Sequence, residues 1–252
     1  MKVMSNIYDK LFEDFSRIVK ANDFLSSKVK CVILSGERLK LPSGEYLAAR
    51  GEEVILQAEV DGGYGHAFTS YPKEFEGRVG DVLEFVHGEN WEKAIFFATL
   101  NAVLHKLNLI KGTLHCRQGE PEACGEELAN HILSRFGSAR VAHIGYQPGH
   151  VKALAKVLGP ENLYVTDLDR LNVGKVKFEV EILDGALNSE VLRKADVAYI
   201  TGSAAANGTL PELLETCSAC GVKTVIYGVT GKGSSRLLGL EVFCPYGHDS
   251  LQ

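Results

Sequence analysis

From Gly137 onward the chain alternates short apolar runs with longer amphipathic ones, and few folds accept that rhythm. Val141-Ala142-His143-Ile144, Leu163-Tyr164-Val165-Thr166, residues 196–201 and residues 222–227 read as strands. The segments up to residue 158, 188–194 and 209–220 carry helical spacing between them. Residues 178–182 are expected as a short further strand, and residues 240–244 as the one that closes the sheet. Repeated strand–helix–strand order makes a parallel sheet, so the expected fold class is α/β. In such a sheet, ligands gather beyond the carboxyl ends of the strands, where loops meet helix N-termini.

The first half has a different pattern. Residues 6–25 place Ile7, Leu11, Phe12, Phe15, Ile18 and Val19 near one face of an amphipathic helix. Strands are expected at 29–34 and 54–60, with a turn at 41–44. The stretch Asp61-Gly62-Gly63-Tyr64-Gly65-His66 reads as a glycine-rich loop, a tight turn or a lid. Residues 91–109 form the most apolar helix, expected to be buried on most of its circumference, and Asn101 stands out within it. A buried amide must find partners, in the backbone or in a ligand. Residues 111–124 interrupt the periodicity as a linker, followed by a helix over 126–136. A chain of 252 residues accommodates one large or two modest domains. The boundary falls near residue 112, giving an α+β unit (1–112) and a parallel-sheet unit (113–252).

Candidate chemistry concentrates at the carboxyl edge of the sheet. Thr201-Gly202-Ser203 and Asn207 offer short hydrogen-bonding groups after the strand at 196–201. Thr209 belongs first to a capping box with Glu212 and second to a ligand set. Gly145-Tyr146-Gln147-Pro148-Gly149 sits where a dinucleotide fingerprint would sit, without the G-x-G-x-x-G spacing. Asp167 and Asp169 end the second strand, where an acidic residue would hold a ribose. The six cysteines are too scattered for a disulfide scaffold. Cys217-Ser218-Ala219-Cys220 falls in the last turn of a helix, away from the dipole end that activates thiolates, so core packing is expected. His115-Cys116 with Cys124, and Cys244-Pro245-Tyr246-Gly247-His248, lack finger or ribbon spacing, and no permanent structural zinc is expected. No nucleophile elbow is present for a serine triad. Net charge of −5 argues against nucleic acid. No run approaches the about 18 apolar residues of a membrane helix, and with no signal-peptide pattern a cytoplasmic location is the expectation.

The thread Ile144-Gly145-Tyr146-Gln147-Pro148-Gly149-His150, Thr166-Asp167-Leu168-Asp169, Tyr199-Ile200-Thr201-Gly202-Ser203, Asn207-Gly208-Thr209 and Tyr227-Gly228-Val229-Thr230 resembles a family of domains of unknown function named for heavy-metal chelation. Gly65-His66-Ala67-Phe68-Thr69 and Ala98-Thr99-Leu100-Asn101-Ala102 resemble its companion domain. The resemblance implies an enolase-N-terminal-like domain followed by a Rossmann-like domain, with a site between them. It groups Asn101, Thr201, Gly202, Ser203 and Asn207 in one cleft, joined on position by Gly145 and His150. His66 and His150 are the candidate metal ligands or proton carriers. The resulting expectation is a small-molecule-binding protein or enzyme, its ligand a metal or metal chelate and any transition metal carried with that ligand. Two alternatives stand beside it. One is a nucleotide- or S-adenosylmethionine-dependent transferase or oxidoreductase using Asp167 or Asp169; the other is a non-catalytic metallochaperone or assembly module. Homo-oligomerisation is left open.

Overall fold

The first helix, α1 (Ile7–Ala21), buries Leu11, Phe15 and Val19, one residue per turn on one face. The computed structural model describes residues 7–34, 54–117 and 119–251; the turn expected at 41–44 lies outside them. Strands β1 (Lys28–Leu34), β2 (Val54–Val60), β3 (Gly63–Thr69) and β4 (Phe75–Arg78) form an antiparallel sheet in the order β3-β2-β1-β4. The glycine-rich stretch is therefore not a lid. Asp61 and Gly62, both at positive φ, make the two-residue hairpin turn. Gly65 lies in β3, where a Cβ would collide with the backbone of Ala98 and Ala102. Its glycine permits close helix packing rather than motion.

That helix is α3 (Asn90–Lys106), reached from β4 through the short helix α2 (Val79–Val82). Its N-terminus is closed by a capping box between Glu89 and Glu92, and every residue from Ala94 to Leu104 is buried. It packs on β3 and β2 on one side. On the other it meets α7 (Ser203–Ala206) and α9 (Lys232–Leu238). One hydrophobic core, including Phe96, Leu100, Ala198 and Ile200, runs from the small sheet to the large one.

The large sheet is built from β5 (Val141–Ile144), β6 (Leu163–Asp167), β7 (Val176–Lys177), β8 (Val180–Asp184), β9 (Val197–Thr201), β10 (Lys223–Tyr227) and β11 (Glu241–Phe243). Its order is β11-β10-β9-β5-β6-β8-β7, parallel except for the terminal β7–β8 hairpin. Counted from β5, the parallel strands run 3-2-1-4-5-6, the doubly wound order, and chain direction reverses between β5 and β9. The expected single strand at 178–182 is thus a hairpin. Helices α4 (Glu120–Phe136), α5 (Pro148–Leu158), α6 (Asn188–Lys194) and α8 (Leu210–Cys220) supply the connections and covers. Helix α4 begins six residues before the expected start at 126, because Pro121 and the acidic Glu120 and Glu122 suit its first turn. Cys124 is thereby helical. Among the described residues no helix is long and apolar enough to cross a membrane.

Candidate functional site

Two neighbouring cavities open at the carboxyl edge of β5 and β9, sharing Tyr146, Thr201, Ser203 and Tyr227 as wall. The smaller has a volume of about 160 Å³ and lies under Phe68, His115 and the segment after β11. The larger, about 570 Å³, runs along the ends of β6 and β9 past Asp167, Asp169, Asn188 and Asn207.

Two segments distant in sequence, residues 114–127 and 244–248, are clipped together at the smaller cavity. Leu114 and His248 exchange backbone hydrogen bonds of 2.9 Å in each direction. His248 Nε2 meets Glu120 Oε2 at 2.8 Å, and Tyr246 donates to Glu127 Oε1 at 2.6 Å. These bonds bring Cys116, Cys124 and Cys244 to one wall. All six cysteines are free thiols, and these three are half-buried. Burial pushes the Cys124 thiol up to about 12 and raises Cys116 and Cys244 too, so all three are protonated at neutral pH. Among the described residues, no Asp, Glu, Lys or Arg lines this cavity.

Behind Cys124 stands a buried relay. His143 Nδ1 lies 2.7 Å from the carbonyl of Gly145, which can only accept, so Nδ1 carries the proton. His143 Nε2 is then the acceptor for His150 Nδ1–H at 3.1 Å. His150 Nε2 is left bare and receives the Cys124 thiol at 3.3 Å. Burial lowers His143 to about 4 and holds His150 well below the ordinary histidine value, the second also through the charge of the first. Both rings are neutral at pH 7, as this pattern requires. Tyr227 flanks both, at ring separations of 4.7 and 5.1 Å, and donates to the Gly145 carbonyl at 2.8 Å.

The residues expected from sequence divide between the two cavities and the core. His150 and Gly202 line the small cavity, Thr201 and Ser203 line both, and Gly145, Asn207, Thr209, Asp167 and Asp169 line the large one. Thr209 does not cap α8 with its side chain; Asn207 Oδ1 accepts from both Thr209 N at 3.1 Å and Thr209 Oγ1 at 2.7 Å. The expected loop at 201–207 contains the single helical turn α7. Asp167 accepts from Tyr146 N, Leu168 N, Asp169 N and Asn172 Nδ2, tying the loops after β5 and β6 together.

Asn101 and His66 line neither cavity. Asn101 Nδ2 donates to the carbonyls of His66, Val229 and Thr230 at 3.0–3.3 Å, and its Oδ1 accepts from Gly233 N at 2.8 Å. His66 Nδ1 accepts from His115 N at 3.0 Å and its Nε2 faces Gln57 Oε1 at 3.1 Å. Both spend their bonding capacity inside the fold. Spacing does not mark Cys116, Cys124 and Cys244 as metal ligands, and His143 carries no sequence signal of its own. The one available signal was that His115-Cys116 and Cys244-Pro245-Tyr246-Gly247-His248 are the chain's other Cys/His groupings.

No curated protein matches the chain in sequence. The fold is similar to that of a DUF364-family protein of unknown function from Pyrococcus horikoshii, 17% identical, over 89% of this chain and 80% of that one, with a TM-score of 0.52. It is similar also to a DUF364-family protein of unknown function from Desulfitobacterium hafniense DCB-2, 12% identical, over 92% and 83%, with a TM-score of 0.58. Residues 127–239 match the model of the DUF364 family, described as “putative heavy-metal chelation”.

Proposed function

We propose that the small cavity binds a soft, thiophilic metal ion through Cys116, Cys124 and Cys244. The observation that carries this reading is the wall itself: among the described residues it has three thiols and two imidazoles with no charged side chain. Soft sulfur ligands favour zinc-like and heavier ions, whereas calcium and magnesium need carboxylate and carbonyl oxygen. The family description points the same way. Among the described residues no three His, Cys, Asp or Glu side chains already surround one point. The site therefore closes on the ion by side-chain rotation instead of presenting a finished cage. A volume of about 160 Å³ exceeds what a bare ion fills, which suits an ion arriving with water or within a small chelate. Phe68 of β3 and residues from 115 to 246 both contribute to this wall.

Titration of the reduced protein with Cd(II) tests the reading, followed by thiolate-to-metal charge-transfer absorption. One ion per chain is expected, lost in C124S or C244S and kept in C220S. Wild-type protein that takes up no stoichiometric ion would sink it.

A second reading has its own observation. The 570 Å³ cavity lies at the reversal point between β5 and β9, where doubly wound sheets hold small organic ligands. Asn188, Ser203 and Asn207 would orient a nucleoside-type molecule there. Asp167, with four hydrogen bonds already accepted, is a poor ribose partner, and Asp169 is the better one. Calorimetry with S-adenosylmethionine and NAD decides this: saturable binding weakened by D169A supports it, and no heat with either removes both cofactors.

A further inference from the structure

We propose that Cys124 Sγ and His150 Nε2 are paired ligands of one divalent, zinc-like cation, and that His143 is the residue that positions His150. This rests on the metal-binding reading above and specifies its ligands and its ion. Two ligands of a tetrahedral zinc, at about 2.3 Å for sulfur and about 2.0 Å for nitrogen, stand roughly 3.5 Å apart. Cys124 Sγ and His150 Nε2 stand 3.3 Å apart before any ion arrives.

The imidazole already has the tautomer a ligand needs. The Gly145 carbonyl fixes the proton of His143 on Nδ1, and His143 then fixes that of His150 on Nδ1. His150 Nε2 presents its lone pair to the cavity. Metal-bound histidines are held this way, their second nitrogen donating to an outer partner that sets ring orientation and basicity.

Local packing keeps the two donors together. Gly125 follows Cys124 on α4, and Gly149 precedes His150 on α5. A Cβ at Gly125 would run into the Gly149 carbonyl, and one at Gly149 would reach Pro121 O at 2.5 Å. The helix backbones touch where the two ligands leave them. Glycine at both positions lets the thiol and the ring meet.

On binding, the ion takes the place of the thiol proton between sulfur and nitrogen. The Cys124 S–H bond breaks and its proton leaves to solvent, while a sulfur–metal bond forms. His150 forms its nitrogen–metal bond without releasing a proton. Cys116 and Cys244 complete the four-ligand set by rotation. A mixed sulfur and nitrogen set favours Zn(II), Cd(II) and Co(II) over ions that prefer sulfur alone.

The test uses the full chain with Co(II) as spectroscopic probe and Zn(II) competition for affinity. Wild type should give tetrahedral Co(II) bands with thiolate charge transfer. H150F, which keeps ring volume, should shift those bands and weaken Zn(II) binding at least about tenfold. H143L should cost about 10–100-fold, and H143Q, which restores an acceptor near the Nε2 position, should recover most of that loss and the wild-type spectrum. Purely structural damage would not be rescued along with the ligand-field bands. ¹⁵N-histidine NMR of the unmutated protein covers variants that fail to fold: Zn(II) should move the His150 Nε2 resonance and leave its Nδ1–H in place. An unmoved resonance, or H150F with unchanged bands and affinity while C116S or C244S abolishes binding, overturns the pair and leaves the thiol site standing. Absence of any ion from wild type overturns both.

Discussion

Asn101 and His150 are both polar and both buried, at 0% and 3% exposure, and both drew attention in the sequence. They sit on different helices, α3 and α5, and behave differently. Asn101 spends its amide on four backbone groups, three of them in the segment 229–233 of the other half. His150 spends one nitrogen on His143 and leaves the other facing a thiol and a cavity. A buried polar residue whose every partner is backbone is a fastener. One whose outer nitrogen meets a thiol on a cavity wall has a partner that a ligand can replace. Burial alone does not distinguish the two cases, but counting donors and acceptors does.

The largest expected effect comes from removing the fastener. N101L would orphan Gly233 N and strip the carbonyls of His66, Val229 and Thr230 of their donor, and should cost about 2–5 kcal/mol of stability. Chemical denaturation measures it. The comparison breaks if N101L is as stable as wild type while H150F unfolds. G125A comes next: its Cβ has no room against Gly149, so overpacking should cost about 1–3 kcal/mol. It should also weaken metal binding by separating Cys124 from His150. Loss of stability with unchanged affinity would show that the two helices need not touch for the pair to work.

Much of the fold was legible because its signals are periodic. Strand–helix alternation located β5, β6, β9 and β10 and the helices between them, whereas the spatial order and its reversal between β5 and β9 come from the structure. Gly63 and Gly65 misled because glycine serves flexibility and close packing alike, and only the position of α3 separates them. The loop residues Thr201, Ser203 and Asn207 were legible as cavity wall, since strand ends predict where clefts open. The thiol wall was not. Cys116 and Cys124 lie in one stretch and Cys244 in a remote one, joined by Leu114–His248, Glu120–His248 and Glu127–Tyr246 contacts, and no spacing rule encodes contacts of that range.

A pH experiment tests the fully partnered imidazoles, His66 and His143. Burial lowers His66 to about 3 and His143 to about 4, so both stay neutral in the folded chain at mildly acidic pH. The unfolded chain protonates each near 6.5. Below that value the unfolded state binds more protons, so stability is full above about 6.5 and is lost progressively as pH falls toward the folded values. Between pH 7 and 5.5 the loss should be roughly 1 kcal/mol per histidine. H66N keeps an acceptor for His115 N and removes one titrating ring, so its stability should fall less steeply over the same range. An H66N slope equal to that of wild type would mean that other groups carry the acid sensitivity.

The smallest effect is expected at the one cysteine pair that has motif spacing. Cys217 is 1% exposed and packs in the core with Leu210 and Leu213, while Cys220 is exposed at the end of the same helix. Neither lines the thiol cavity. Burial raises the Cys217 thiol, and contact with the Thr224 side chain offsets this only in part, so the group stays protonated and unreactive. C217S exchanges a polarizable sulfur for a hydroxyl that can still reach Thr224. The expected cost is about 1 kcal/mol, near the low end for a buried hydroxyl because that partner remains. Cd(II) stoichiometry and affinity should be those of wild type. If C217S lost an equivalent of Cd(II) while C124S kept it, spacing would have been the better guide to the metal and spatial clustering the worse.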